Sequence, residues 1–313
     1  MTRARVESRG TVRRRRHRTP PEAPLFRRSL QLFKATWGVL RVDKSLALFP
    51  VLSALATLVV MASFALPVWA SRTTDASGHA SISGPGWLLI GLGYLVLSYV
   101  TIFFNAGLVV AANERLTGTG PGTLASGFRG AVAKAGAIAP WALLSATVSV
   151  VLRQLEQRAG LVGRLVIGFV GVAWALVTYL VVPILVLEGV GTVDAIKRSA
   201  SMFKRTWGEN MVGNLGLGLV TFLAMLAGLA FIGVGAALGT ASDSILAAVP
   251  FVVVGVIWIA VVVAGSAALG GIYRVALYRY AADGVTPAAL GDIDLSQAFR
   301  PRRVPLGGGG FTG

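Results

Sequence analysis

The sequence predicts an all-α bundle of about six transmembrane helices, with amphipathic helices preceding the helix pairs on the cytoplasmic side. The chain is 55% hydrophobic and only 13% charged, about half the charged fraction of a typical soluble protein. Its apolar residues form runs without Asp, Glu, Lys or Arg, and most reach the ~20 residues that cross a hydrocarbon core. These runs are 46–70, 86–112, 136–152, 165–187, 211–238 and 245–271.

The third run, 136–152, is the shortest and contains Pro140. A re-entrant or interfacial helix is therefore an alternative at this point. We favour a sixth span, because an even number of spans keeps both termini on one side of the membrane.

The basic residues predict which side that is. Lys and Arg accumulate in cytoplasmic loops, and 25 of the 29 here lie at the termini or in the loops after the second and fourth runs. Both termini are therefore predicted to be cytoplasmic. The exceptions are Arg72 in the first outer loop and three arginines in a predicted outer loop after the third run: Arg153, Arg158 and Arg164.

The same distribution divides the chain into three parts. Residues 1–24 are predicted to be a disordered basic cytoplasmic tail, 25–285 the membrane domain, and 286–313 a flexible cytoplasmic tail. The net charge of +16 comes mostly from the cytoplasmic face. We expect this charge to set orientation and to meet anionic lipid headgroups, and we do not expect nucleic acid as a partner.

An internal repeat links the two halves of the membrane domain. Segments 26–38 and 196–208 are identical at seven of 13 positions without a gap. The identical pairs are Arg28/Arg198, Ser29/Ser199, Phe33/Phe203, Lys34/Lys204, Thr36/Thr206, Trp37/Trp207 and Gly38/Gly208. A fainter third copy, around Thr123 and Arg129, precedes the third run.

Both copies have helical periodicity, with aromatic residues on one face and basic residues on the other. Such a helix lies in the membrane interface, with its aromatic side chains at the acyl boundary. The alternative is that the aromatic side chains pack against neighbouring spans, and the two interpretations are compatible. The predicted lipid or partner contacts are Phe26, Arg28, Phe33, Lys34, Trp37, Ile196, Arg198, Phe203, Lys204 and Trp207.

Polar residues before the second copy predict how it begins. Glu188 opens a glycine-containing cytoplasmic turn and could pair with a basic residue of the repeat. Thr192 is predicted to cap the helix, and Asp194 to lie favourably near the positive end of its dipole. Pro183 is expected to loosen the fourth span just before this turn.

The residues that most catalytic and metal sites need are scarce. The chain has no cysteine and two histidines, His17 and His79, neither of them in an apolar run. We therefore expect no metal, no cofactor and no enzymatic activity. Asn105 and Asn214 are the candidate intramembrane polar residues. Hydrogen bonding between helices is the expected role of Asn105, and substrate contact is the alternative.

Several short segments resemble an uncharacterised family of bacterial integral membrane proteins. The segments are 32–40, 43–44, 48–50, 103–106, 182–186, 194–199 and 206–210. The resemblance covers roughly residues 28–285 and implies a multi-span plasma-membrane protein without an assigned activity. The arrangement is also distantly similar to the membrane domain attached to some glycerophosphodiester phosphodiesterases, whose catalytic part is absent here.

Together these features predict a non-enzymatic membrane scaffold or lipid-interacting module. A small permease or export component is the alternative, motivated by the repeat and by Asn105. The predicted partners are membrane lipids, with a protein partner or a second copy of the chain left open.

Overall fold

The computed structural model describes residues 44–74, 80–205, 207–242 and 244–283, without the side chains of 44, 74, 80, 204–217 and 219. Nearly all of the described chain is helical. A 3-10 turn at Lys44–Ala47 leads into α1. The elements are α1 Leu48–Ala70, β1 Arg72–Thr74, β2 Ala80–Ile82, α2 Gly84–Thr117, α3 Leu124–Ala133, α4 Ala135–Arg158, α5 Leu161–Val177, α6 Val181–Leu187, α7 Thr192–Arg205, α8 Trp207–Ala241 and α9 Ile245–Asp283.

Six helical stretches within the described ranges are long and apolar enough to cross a membrane. The all-α multi-pass architecture is therefore confirmed. The third stretch, Ala135–Arg158, has 24 residues and extends beyond the predicted run at its C-terminal end. Pro140 lies in its second turn, so the carbonyl of Gly136 lacks its usual donor there without ending the helix.

The predicted outer loop around the three arginines is wrong. Helix α4 continues to Arg158, and α5 begins at Leu161, so only two residues connect them. Arg153 and Arg158 project from the last turns of α4, and Arg164 lies in the first turn of α5. The charges at this end are therefore carried by helix termini, where long side chains can reach the interface.

The polar segment between α1 and α2 contains a short antiparallel hairpin, in which Thr73 pairs with Ser81. Ser83 follows the hairpin, and its hydroxyl accepts a hydrogen bond from the backbone N–H of Gly86. Pro85 occupies the first turn of α2, where its missing N–H costs nothing. The cap and the proline together fix where the second span begins.

The fourth span is interrupted. Residues 178–180 form a turn between α5 and α6. Pro183 explains the position of the break, because it cannot donate to the carbonyl four residues earlier, and its ring crowds that carbonyl. The break agrees with the expectation that Pro183 loosens the fourth span. It leaves α6 as a separate helix of seven residues.

The last two spans form a hairpin held by glycine contacts. The Cβ of an alanine at Gly255 would lie 2.7 Å from the carbonyl oxygen of Gly228, so the two backbones are nearly in contact. Gly235 and Gly239 both pack against Ala248. This GxxxG pair therefore acts in close helix packing, as small residues commonly do in membranes.

The buried core lies toward one end of the bundle. It is formed by the C-terminal parts of α2 and α9, by α6, and by parts of α3, α4 and α7. Helix α9 has 39 residues, about 58 Å of helix, whereas a hydrocarbon core is about 30 Å thick. Its C-terminal turns therefore extend beyond the apolar layer, and they carry most of its buried residues. We call this the α3–α7 end, after its two short helices.

Helix α3 crosses α2 with almost no space between the two backbones. A Cβ added to Gly127 would lie 2.4 Å from the carbonyl oxygen of Gly107 and 2.5 Å from the Phe49 ring. Gly130 lies against Val110 in the same way. The glycines of α3 thus let the Phe49 ring, only 1% exposed, cover the crossing.

Candidate membrane-interface site

Helix α7, the second repeat segment, packs one face against the bundle. Ala195, Ser199 and Met202 are buried at helical spacing, and Phe203 is also buried. Asp194, Lys197 and Arg198 are exposed. One side of α7 therefore belongs to the protein core, and the other carries charge toward the surroundings.

The side chains of Phe203 and Ile196 do not simply face lipid. Phe203 is only 8% exposed, which corresponds to the packing alternative rather than to lipid contact. Ile196 is half-buried and lies at the edge of the core. Lys204, Trp207 and Asn214 belong to α7 or α8, but their side chains are outside the described part. The first-copy residues Phe26, Arg28, Phe33, Lys34 and Trp37 lie outside the described residues altogether.

Helix α7 begins one residue earlier than the predicted cap implies. The carbonyl of Gly191 accepts the first helical hydrogen bond, from the backbone N–H of Ala195 at 2.9 Å. Thr192 is therefore the first residue of the helix and does not occupy the capping position that precedes it. Asp194 lies in the first turn, where a carboxylate is favourable to the helix dipole.

Ser199 connects α7 to the break in the fourth span. Its hydroxyl donates to the carbonyl of Val177 at 2.5 Å and accepts from the backbone N–H of Leu180 at 3.2 Å. Both backbone groups border the break, and Ser199 is fully buried. A hydroxyl on another helix thus satisfies two polar groups that would otherwise lack partners in an apolar setting.

Glu188 joins three helices at the α3–α7 end. It follows α6, and its carboxylate accepts from Arg198 Nε on α7 at 2.7 Å and from the Tyr278 hydroxyl on α9 at 2.9 Å. The Glu188 side chain is 18% exposed and that of Arg198 is 50% exposed. Arg198, a predicted headgroup contact, therefore has its charge compensated within the protein.

A second polar contact joins α2 to α9. Arg279 Nε donates to Oδ1 of Asn113 at 2.7 Å, and Asn113 is only 8% exposed. The Arg279 guanidinium also pairs with Asp283 one turn later at 3.2 Å. Sequence reasoning missed both Asn113 and Tyr278, because their partners are distant in the chain.

Helix α3 presents an apolar and basic outer surface that the sequence reasoning did not single out. Phe128 and Val132 are four residues apart, and are 46% and 52% exposed. Arg129 beside them is also exposed. The i, i+4 spacing of the two apolar residues was the available signal. We call these three residues the α3 outer face.

The beginning of α3 is fixed by a capping box. The Thr123 hydroxyl accepts from the backbone N–H of Ser126, and the Ser126 hydroxyl accepts from the backbone N–H of Thr123. At the other end, the Lys134 ammonium lies 2.9 Å from where a Cβ on Gly189 would stand. Lys134 therefore brings the end of α3 beside the turn that precedes α7.

Asn105 lies in the middle of α2 and is half-buried. Its Oδ1 atom is buried, and among the described residues it has no hydrogen-bond partner. The interhelical hydrogen bond expected for this oxygen is therefore not found there. Within the same described part of the chain, His, Cys, Asp and Glu form no cluster of three that could hold a metal ion.

The model of a family of unknown function, DUF6159, matches residues 85–288, which is more than half of the chain. The chain belongs to this family. No curated protein and no solved structure matches it. The expected membership of an uncharacterised family is thus confirmed, whereas the similarity to the phosphodiesterase membrane domain stays a prediction.

The DUF6159 match extends from α2 through α9. It includes the Glu188 contacts, the Asn113–Arg279 contact and the α3 outer face. It leaves out α1 and the first copy of the repeat. The polar contacts of the α3–α7 end therefore all lie in the part of the chain that defines the family match.

Proposed function

We propose that this protein is a non-enzymatic membrane scaffold whose α3–α7 end contacts anionic lipid headgroups on the cytoplasmic side of a bacterial plasma membrane. The observation that supports this most is the α3 outer face. Phe128 and Val132 expose apolar surface beside the exposed cation Arg129 on a short helix that packs through glycines. Exposed apolar and basic groups together are what an interfacial helix needs.

Helix α7 adds charge to the same end of the bundle. Lys197 is exposed, and Val193 one turn earlier is 61% exposed. Each basic residue near an anionic surface contributes about 1 kcal/mol. The buried faces of α3 and α7 pack into the same core, which holds these exposed groups at the same end of the bundle.

The absence of cysteine allows a direct test of that depth. We would place single nitroxide spin labels at Phe128→Cys, Val132→Cys and Thr119→Cys in protein reconstituted into phosphatidylglycerol vesicles. Thr119 is an exposed residue of the loop before α3 and serves as the control. Labels at 128 and 132 should be more accessible to oxygen than to a water-soluble nickel complex, and the label at 119 should show the reverse. A water-like profile at all three positions would contradict the proposal.

A second measurement tests the preference for anionic lipid. Phe128→Ser combined with Arg129→Gln should reduce enrichment of phosphatidylglycerol over phosphatidylcholine in co-purified lipid. Arg158→Gln is the matched control, since Arg158 is an exposed arginine at the opposite end of the helices. Equal enrichment in both variants would argue against headgroup contact at α3.

The permease alternative is supported by the interrupted fourth span and by the buried Asn105 oxygen. Discontinuous helices and intramembrane polar groups are common where transporters bind substrate. Efflux of entrapped radiolabelled phosphate and glycine from proteoliposomes is the test. Efflux above protein-free vesicles that Asn105→Leu abolishes would favour the permease, and its absence would favour the scaffold.

A further inference from the structure

Arg274 is a partly buried cation without a protein counter-ion in the described structure. Its Nε atom is buried and has no hydrogen-bond partner among the described residues. Its guanidinium carbon lies 5.0 Å from the centre of the Tyr179 ring. No carboxylate in the described part of the chain pairs with it. By contrast, Arg198 and Arg279 nearby each have a carboxylate partner.

The side chain of Arg274 extends toward the apolar part of the bundle. Tyr278 meets Glu188, whereas Arg274, one turn earlier, meets Tyr179, nine residues before Glu188. One turn of α9 accounts for about 6 Å, whereas the seven residues of α6 between Tyr179 and Glu188 account for about 10 Å. To reach Tyr179, the Arg274 side chain must therefore extend toward the N-terminus of α9. This is the direction in which helical side chains naturally point.

The depth of Arg274 matches that of lipid phosphate. The uncharged run of α9 ends at Tyr273, directly before Arg274. Arg274 is the first charged residue of α9, so we place it at the end of the apolar layer, beside the lipid headgroups. Its guanidinium points from there toward the acyl boundary.

An uncompensated cation in this position is costly unless an anion accompanies it. The planar guanidinium of arginine suits phosphate because it offers parallel N–H donors. We propose that Arg274, against the Tyr179 ring, is a specific binding site for a phosphate group. The site lies between α9 and the break in the fourth span, away from the α3 outer face, so this inference does not rest on the proposed function.

Among the described residues, Asn105 offers a second unpartnered polar group on α2, which packs against α9. Leu108 of α2 contacts Gly271 of α9 so closely that a Cβ there would clash. Asn105 precedes Leu108 by three residues and shares its face of α2. Its buried Oδ1 can accept a hydrogen bond from a hydroxyl, which a glycerol headgroup or a protonated phosphate oxygen supplies.

The test compares Arg274→Gln with Arg158→Gln in the full-length protein, since Arg158 is an exposed arginine at the opposite end of the helices. Native mass spectrometry counts phosphatidylglycerol molecules retained after detergent washing, and calorimetry measures binding of inorganic phosphate. Arg274→Gln should retain one phosphatidylglycerol fewer than wild type, with at least about tenfold weaker phosphate-group binding, since a charge-assisted hydrogen bond is lost. Arg158→Gln should keep that lipid.

Comparing phosphatidylglycerol with inorganic phosphate shows whether the bound phosphate group comes from a lipid or from a soluble ligand. Retention of phosphatidylglycerol without calorimetric binding of inorganic phosphate identifies a lipid site, and the reverse identifies a soluble ligand. Loss of binding with Arg274→Gln supports the proposal in either case. Equal binding in Arg274→Gln and Arg158→Gln, or no binding of either ligand by wild type, would overturn it.

A conservative variant covers the case in which Arg274→Gln does not fold. Arg274→Lys keeps the charge and removes the planar pair of donors, so binding should fall several-fold while the thermal midpoint without ligand stays near that of wild type. Wild-type affinity in Arg274→Lys would then count against the site. Arg158→Gln should leave both the binding and the thermal midpoint unchanged, because Arg158 lies at the opposite end of the helices.

Discussion

Ser199 on α7 donates a hydrogen bond to the carbonyl of Val177 at the end of α5. The same hydroxyl accepts from the N–H of Leu180. A residue of one repeat segment thus completes the backbone hydrogen bonding of a transmembrane helix broken near Pro183. This contact couples the position of α7 to the integrity of the fourth span.

Replacing Ser199 with alanine should destabilise the protein by about 1–3 kcal/mol, because two buried backbone groups lose their partner. Ser201→Ala is the control, since Ser201 is an exposed serine of the same helix, and it should change stability by less than about 0.5 kcal/mol. Unfolding in mixed micelles with increasing dodecyl sulfate measures both. Equal midpoints for the two variants would show that the break does not depend on Ser199.

Replacing Glu188 with glutamine should cost about 1.5–3 kcal/mol, because its carboxylate accepts charge-assisted hydrogen bonds from Arg198 and Tyr278. Asp283→Asn removes a more exposed ion pair with Arg279 and should cost less than about 1 kcal/mol. A double-mutant cycle of Glu188→Gln with Tyr278→Phe, measured in the same unfolding assay, should give a non-zero coupling energy. Additive effects would contradict direct coupling of α6 to α9 through this pair.

Gly127→Ala should be strongly destabilising, by about 1–3 kcal/mol, because the new Cβ would overlap the Gly107 carbonyl and the Phe49 ring. Gly136→Ala is matched to it, since both glycines are helical. A Cβ at 136 meets nothing within 4 Å. We expect Gly136→Ala to be neutral or stabilising by up to about 1 kcal/mol. The thermal midpoint in detergent distinguishes the two, and a similar midpoint for both would contradict the close α2–α3 crossing.

The orientation can be tested by labelling single cysteines in a chain that has none of its own. A membrane-impermeant maleimide added to intact cells should label Arg158→Cys and leave Lys197→Cys unlabelled until the cells are permeabilised. Both positions are exposed in the structure, so access through the membrane is what differs. The opposite pattern would reverse the predicted topology. Labelling of both positions in intact cells would show that the helices between them do not all cross the membrane.

The number and position of the membrane helices were predictable from the sequence, because apolar length is a local property of the chain. The third span, its run broken only by Pro140 and a few hydroxyl residues, followed from the same reasoning. The outer loop was wrong for a related reason. The charges of Arg153 and Arg158 suggest a loop in the sequence, but long charged side chains in the last turns of a helix can reach the interface.

The partners of the polar residues were not predictable, because they depend on which helices meet. The pairing of Glu188 with a basic residue of the repeat could be expected, because Arg198 is only ten residues away in the chain. Its contact with Tyr278, 90 residues away, could not be. The same holds for Asn113 and Arg279, which are 166 residues apart.

The sequence by itself therefore determined the number of apolar helices long enough to cross a membrane, since hydropathy acts through the bilayer whatever the packing. Its charge distribution predicts their orientation. Only the tertiary structure decided which charges are compensated. Arg198 follows the fourth span and pairs with the Glu188 carboxylate. Arg274 follows the apolar part of the sixth span and lies over the Tyr179 ring. The physical reason is that ion pairing acts over a few ångströms and so depends on helix contacts, which chain order does not specify.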